Sequence, residues 1–214
     1  MKKDAIAEMF RRFEALDPDP KGELKSVNAF TMLVAVVLSA QATDAAVNQA
    51  TKDLFRIADT PEKMLALGEE RLAEMIRTIG LYRGKAKNVI ALSRQLLDRH
   101  GGAVPQDRAA LEALPGVGRK TANVVLNSVF GEATIAVDTH LFRLGNRLKL
   151  APGKTPEEVE RKLMKSVPDL YKARAHHWLI LHGRYVCKAR KPECWRCAMA
   201  DLCPVKVKTP PPRT

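Results

Sequence analysis

The sequence predicts an all-α protein, and three observations carry the prediction. Residues that start helices (Ser, Thr, Asp, Asn) and residues that stop them (Gly) recur along the whole chain. Apolar residues such as Val89, Leu92 and Leu96 share one helical face. Sustained period-two alternation, the mark of half-buried strands, is missing.

Ser26 and Asn28 precede an apolar helix at residues 29–38, and Asp44 is placed to cap the next, through about Arg56. Thr60 with Pro61 opens a short helix, and another is expected from about Glu69 to Arg77. A longer helix, from Arg83 to His100, ends at Gly101 and Gly102. Asp107 caps the one after it. Leu111 and Leu114 close the first helix of a hairpin whose second helix, at residues 119–130, turns Val124, Val125 and Val129 inward and stops at Gly131. Thr155, Pro156 and Glu158 form a capping box, and a last helix from about Tyr171 to Arg184 leads into a cysteine-rich loop. The tail Thr-Pro-Pro-Pro-Arg-Thr is polyproline-like and expected to be disordered. No internal repeat is found.

At 214 residues and 46% hydrophobic, the chain has enough apolar content for one substantial core or two modest ones. The net charge of +12 is uneven, because residues 141–214 hold 17 Lys and Arg against 6 Asp and Glu. A one-sided basic field attracts a polyanion such as DNA or RNA, although a solubilising surface has the same composition. With only 5% aromatic residues, binding by extended base stacking is disfavoured and duplex or backbone reading fits better. No apolar run approaches the roughly 20 residues of a membrane helix. The N-terminal Met-Lys-Lys-Asp-Ala-Ile-Ala-Glu carries acids where a secretory signal has its apolar core, so a cytoplasmic protein with no membrane partner is expected.

The most informative stretch runs from Leu114 to His140. Leu-Pro-Gly-Val-Gly-Arg-Lys opens an apolar helix, and Val-Asp-Thr-His follows it. Gly116 and Gly118 carry no side chain to hold a phosphate away from the hairpin amides. Lys120, just past the hairpin, is a candidate nucleophile, and Asp138 a candidate anion for a positively charged sugar in the transition state. An amine attacks only when unprotonated, which an ordinary lysine rarely is near neutral pH. A nearby carboxylate opposes deprotonation, so Asp138 is not read as an activating partner. Taken singly, Lys120 reads as a phosphate-binding cation and Asp138 as a cap for a helix at residues 139–147.

Four cysteines, Cys187, Cys194, Cys197 and Cys203, fall within 17 residues. Two disulfides would suit a small secreted domain, which this chain does not resemble. Structural zinc usually takes two tight pairs or adds histidines, and only one tight pair occurs. Uneven gaps also suit an iron-sulfur cube, which is wider than one ion. Spacing alone leaves zinc and cluster open. Between the first two cysteines, Lys188, Arg190 and Lys191 make a basic loop that ligand bonds would hold rigid as a phosphate contact on DNA, or a solvated charge run.

Four motifs together make the chain resemble the bacterial endonuclease III family of DNA glycosylases. They are Leu-Ser-Ala-Gln-Ala-Thr-Asp at 38–44, Leu-Pro-Gly-Val-Gly-Arg-Lys-Thr-Ala at 114–122, Val-Asp-Thr-His at 137–140 and His-Gly-Arg-Tyr-x-Cys at 182–187. The resemblance covers Phe30 to Cys203. It implies a 4Fe-4S cluster on the four cysteines and a helix-hairpin-helix duplex reader. It implies a six-helix barrel domain at 22–132 and an iron-sulfur cluster domain built from 1–21 plus 133–214. The implied activity is excision of oxidised pyrimidines from double-stranded DNA followed by β-elimination at the abasic site, with Lys120 as nucleophile and Asp138 as acid. Gln41 and Leu81 are the implied fillers of the gap left by an everted base, and His140 is expected near that base. Leu81 would otherwise read as core, and His140 as a histidine satisfying a backbone carbonyl. A monomer, associated with the bacterial nucleoid, is expected. Two alternatives are an adenine mismatch glycosylase, which lacks a lysine at the nucleophile position and carries a further C-terminal domain, and a non-enzymatic DNA-binding module with a redox-sensing cluster.

Overall fold

Short polar side chains decide where half of the α-helices begin, by accepting from N–H groups that the first turn leaves without a partner. The computed structural model describes residues 1–212, and among these every regular element is a helix. Residues 22–132 make one compact unit and residues 1–21 with 133 onward another. The second begins with α1 (Lys3–Leu16).

In the 22–132 unit, Asn28 caps α2 (Ala29–Leu38) in a reciprocal box: its side chain accepts from the Thr31 N–H, and the Thr31 hydroxyl accepts from the Asn28 N–H. The next helix departs from expectation. Thr43, not Asp44, caps α3 (Asp44–Thr51), with its hydroxyl accepting from the Ala46 N–H at 3.2 Å. That helix stops at Thr51, whose buried hydroxyl bonds back to the Val47 carbonyl, and the chain turns before α4 (Leu54–Ile57) instead of running on to Arg56. Thr60 caps α5 (Pro61–Leu67), and Gly68 at φ +81 leads into α6 (Glu69–Met75). The longest helix, α7 (Tyr82–His100), ends at Gly101 in the left-handed conformation.

Asp107 caps α8 (Arg108–Glu112), and α9 (Arg119–Phe130) closes the hairpin and stops at left-handed Gly131. The core unites Leu33, Val34 and Leu38 of α2 with Val89, Leu92 and Leu96 of α7 and Val125 and Leu126 of α9, all buried. The inward face of α9 is not the valine trio expected. Ala122, Val125 and Leu126 are buried at the i, i+3, i+4 spacing, while Val124 and Val129 are only partly covered.

The second unit packs α1 against α10 (Thr139–Arg147), α11 (Pro156–Ser166) and α12 (Lys172–Tyr185). Phe13 of α1 stacks on Trp178 of α12 with ring centroids 6.2 Å apart, and the Trp178 indole donates to the Asp17 carbonyl at 2.7 Å. Tyr171 closes a 3-10 turn, so α12 starts one residue later than expected. The Thr155 box is also displaced by one residue. Thr155 accepts from the Glu158 N–H, but Glu158 accepts from Lys154, because its other oxygen is held by Lys162. Val205 and Val207 lie beside the cysteines and Lys208 donates to the Cys203 carbonyl; of the tail expected to be disordered, Arg213 and Thr214 lie outside the described residues.

Arg12 ties α1 to the cysteine segment by bonding Glu8, Asp201 and the Ala198 carbonyl at 2.6 to 2.8 Å. Arg11 and then Arg12 hold the Glu8 carboxyl down to about 2, and Arg12 lowers Asp201 as well. Carboxylates held below their ordinary values stabilise the fold above those values and lose that contribution as pH falls through the folded-state value. Thermal denaturation at low salt should therefore drop between pH 4.5 and about 2 more steeply in the wild type than in Arg12→Met. Parallel curves would show that the network contributes nothing.

Candidate active site

The glycine hairpin owes its shape to two different needs. Gly116 sits at φ +78, and a Cβ there would lie 3.0 Å from the Asn88 side-chain nitrogen of α7, so the position needs both a left-handed backbone and close approach. Gly118 has an ordinary φ of −102° and open space around it. It stands at the N-cap of α9 and supplies no capping side chain. Val117 between them is buried and anchors the turn. Arg119 and Lys120 follow in the first turn, both exposed, with no acidic residue beside them there.

Asp138 belongs to the other unit, at the N-cap of α10. Its Oδ1 accepts from the Leu141 N–H at 2.8 Å, which fixes the carboxylate while one oxygen keeps its acceptor capacity. The cap reading of this aspartate is therefore observed. His140 lies in the first turn of the same helix, with Nδ1 3.3 Å from the Arg143 guanidinium. Gly183 lets α12 approach it, since a Cβ on Gly183 would come within 2.9 Å of the His140 Cβ.

Gln41 and Leu81 share two unusual properties. Both are exposed, and both are non-glycine residues in the left-handed region, at φ +55 and +61. Such strain persists only where the surroundings impose it, and it concentrates at functional sites. Both line one cavity of about 560 Å³ with Arg83, Lys85, Asn88 and Gly116.

The four cysteines are free thiols that line a single cavity of about 200 Å³, walled by Leu148, Val186 and Met199. Among the described residues no three His, Cys, Asp or Glu side chains converge to hold one metal ion. Four sulfurs lining one largely apolar space make a donor set suited to a thiolate-held metal group. Burial, and to a smaller extent the neighbouring sulfurs, push the Cys197 thiol above its ordinary value. The surroundings supply hydrogen bonds to sulfur: Arg147 approaches Cys187 Sγ at 3.4 Å, and His182 Nε2 lies 3.8 Å from Cys197 Sγ.

Arg143 and Arg147, one turn apart on α10, donate to the carbonyls of Gly183, Cys187, Lys188 and Ala189 and so pin the start of the loop. Their i, i+4 spacing ahead of the cysteines is the one signal of this role in the sequence. Of the three loop cations, Lys188 is paired with Glu193, while Arg190 and Lys191 are exposed. Removing the bound group by Cys197→Ser should abolish iron content and visible absorbance, and should expose the 188–193 loop to protease. A variant that keeps its iron would contradict the assignment of Cys197 as a ligand.

Comparison with known proteins fits this geometry. The model for the HhH-GPD superfamily base excision DNA repair proteins matches residues 34–169, and that for the iron-sulfur binding domain of endonuclease III matches residues 187–203. Endonuclease III of Escherichia coli (strain K12) is 57% identical over 97% of this chain and 99% of its own length, and that of Treponema pallidum is 57% identical over 91% and 92%. A solved structure of a trapped endonuclease III-DNA covalent intermediate superposes with a TM-score of 0.88 at 45% identity, covering 95% of this chain and 96% of its own. A thermostable thymine-DNA glycosylase reaches 0.80 at 25% identity, covering 94% and 95%. The cavity between the four thiols thus corresponds to a 4Fe-4S cluster site. The chain belongs to the endonuclease III family, base excision repair DNA glycosylases with AP lyase activity.

Proposed function

We propose that this chain, acting as a monomer, removes oxidised pyrimidines from duplex DNA and then cleaves 3′ to the abasic site, with Lys120 and Asp138 as its catalytic residues. The observation that carries the reading is the setting of Lys120: an exposed amine in the first turn of a helix without a side-chain cap, directly after a hairpin whose Gly118 has open space around it. A related structure, the trapped endonuclease III-DNA intermediate, is covalent, as attack by an amine requires.

In this reading the Lys120 nitrogen attacks C1′ of the everted nucleotide, the glycosidic bond breaks, and the base departs with the bonding electrons and takes up a proton. Opening of the sugar ring leaves an iminium between Lys120 and C1′. Loss of the C2′ proton then expels the 3′ phosphate as the C3′–O bond breaks, and water releases the enzyme. Asp138, its carboxylate held by the Leu141 amide, steadies the positive charge that grows on the sugar as the base leaves. Gln41 and Leu81 fill the space the base vacates, Gln41 offering amide hydrogen bonds and Leu81 an apolar wedge. His140, Arg190 and Lys191 contact the DNA, while Lys188 acts by shaping the loop through Glu193. The cluster, when bound, supplies positive charge that holds the loop thiolates together and has no part in the bond changes.

Borohydride should trap a covalent adduct between the wild type and duplex DNA carrying thymine glycol or an abasic site, and Lys120→Ala should give none. Asparagine caps helices as well as aspartate does, so Asp138→Asn should keep the melting temperature while slowing base release by about 10²- to 10³-fold. An adduct that persists in Lys120→Ala, or full base release by Asp138→Asn, would overturn the corresponding role.

A further inference from the structure

We propose that the cavity beside the first turn of α7 is a phosphate subsite, in which Lys85 and the open N–H groups of Tyr82, Arg83 and Gly84 take one backbone phosphate of duplex DNA. The proposal rests on the DNA-repair reading above and adds a binding residue to it. Its starting point is Lys85, which is only 6% exposed and whose ammonium nitrogen is buried with no hydrogen-bond partner. A buried cation without a partner is costly and is normally removed or satisfied. Burial already pushes this amine below its ordinary value, and an anion arriving beside it would restore the charged form.

The backbone around Lys85 points to the same ligand. The N-cap of α7 is Leu81, which offers no capping side chain, and the first turn holds no acidic residue. The Tyr82, Arg83 and Gly84 amides precede the first intrahelical bond at this end, from the Lys85 N–H to the Leu81 carbonyl at 3.0 Å. A Cβ on Gly84 would meet nothing within 4 Å, so an outside group can reach the backbone there. The lining of the 560 Å³ cavity includes two cations, Arg83 and Lys85, and the amides of Gln41 and Asn88, with no carboxylate. Positive charge, a helix N-terminus and neutral donors suit an anion with several acceptor oxygens. Among anions, the DNA backbone is favoured because strained Gln41 and Leu81 stand on the same cavity.

The test uses the full-length protein with its cluster and an undamaged duplex, with Kd measured by fluorescence anisotropy across a salt series. Lys85→Met should reduce the slope of log affinity against log salt by about 0.9, the value of one phosphate contact, while its melting temperature stays level or rises. Lys63→Met, which removes a charge from the exposed pair with Asp59, should keep the wild-type slope. A wild-type slope in Lys85→Met overturns the proposal, and so does a lowered melting temperature with that slope, which marks Lys85 as structural. Inorganic phosphate is the second probe. If it raises the melting temperature of the wild type but not of Lys85→Met, and the DNA slope is unchanged, the cavity is a small-anion site and the DNA assignment falls. Borohydride trapping by the wild type reports separately on the catalytic reading: a lost slope without any adduct would sink that reading and leave the subsite standing.

Discussion

Orphan amides at helix N-termini are the constraint around which this chain is organised. Each helix exposes first-turn N–H groups that require an acceptor, and the chain answers in two ways. Asn28, Thr43, Thr60, Asp107, Asp138 and Thr155 supply a side-chain oxygen and close the question locally. In the 22–132 unit, the two longest helices, α7 and α9, do the opposite. They begin at Leu81 and Gly118 without a side-chain cap or an acidic first turn, and they place Arg83 and Lys85, or Arg119 and Lys120, where a cap or an acid would otherwise bring negative charge. Both the dipole and the cations then favour an acceptor brought from outside.

The other unit uses one helix for two purposes. α10 begins at Asp138, whose cap bond orients the carboxylate, and ends near Arg147, which reaches the Cys187 sulfur and the Lys188 carbonyl. Nine residues of helix separate them, roughly 14 Å along a rigid axis. Gly183 lets α12 lie against this helix, and Arg143 bonds the Gly183 and Cys187 carbonyls, so the cysteine loop and the carboxylate are held by one packed pair of helices. The cysteine segment therefore helps to fix α10, and through it the direction of the Asp138 carboxylate.

The helices were legible because caps and glycine stops are local signals: Asn28, Thr60, Asp107 and Gly131 end or begin elements where the sequence places them. The misses have two causes. α3 stops at Thr51, whose hydroxyl bonds locally to the Val47 carbonyl, and the face of α9 is set by packing, not by its valines. The hairpin, Lys120, Asp138 and the cysteines were read from motifs. Lys85 was not, because a lysine in an amphipathic helix reads as solvent-exposed, and only the folded chain buries it.

Three departures from ordinary stability meet at one cavity: left-handed Gln41, left-handed Leu81 and the orphaned amine of Lys85. Each costs the free protein something that an ordinary residue at the same place would not. Strain and unmet charge that cluster on one cavity are best explained by a ligand that relieves them together. A duplex opened at one base would do so: its phosphate meets the amine, and its vacated stack receives the two side chains held ready in strained conformations. On the function proposed above, free energy stored in the unbound state would appear as binding at the moment the base leaves the helix, tying the distortion of the DNA to residues far in sequence from Lys120.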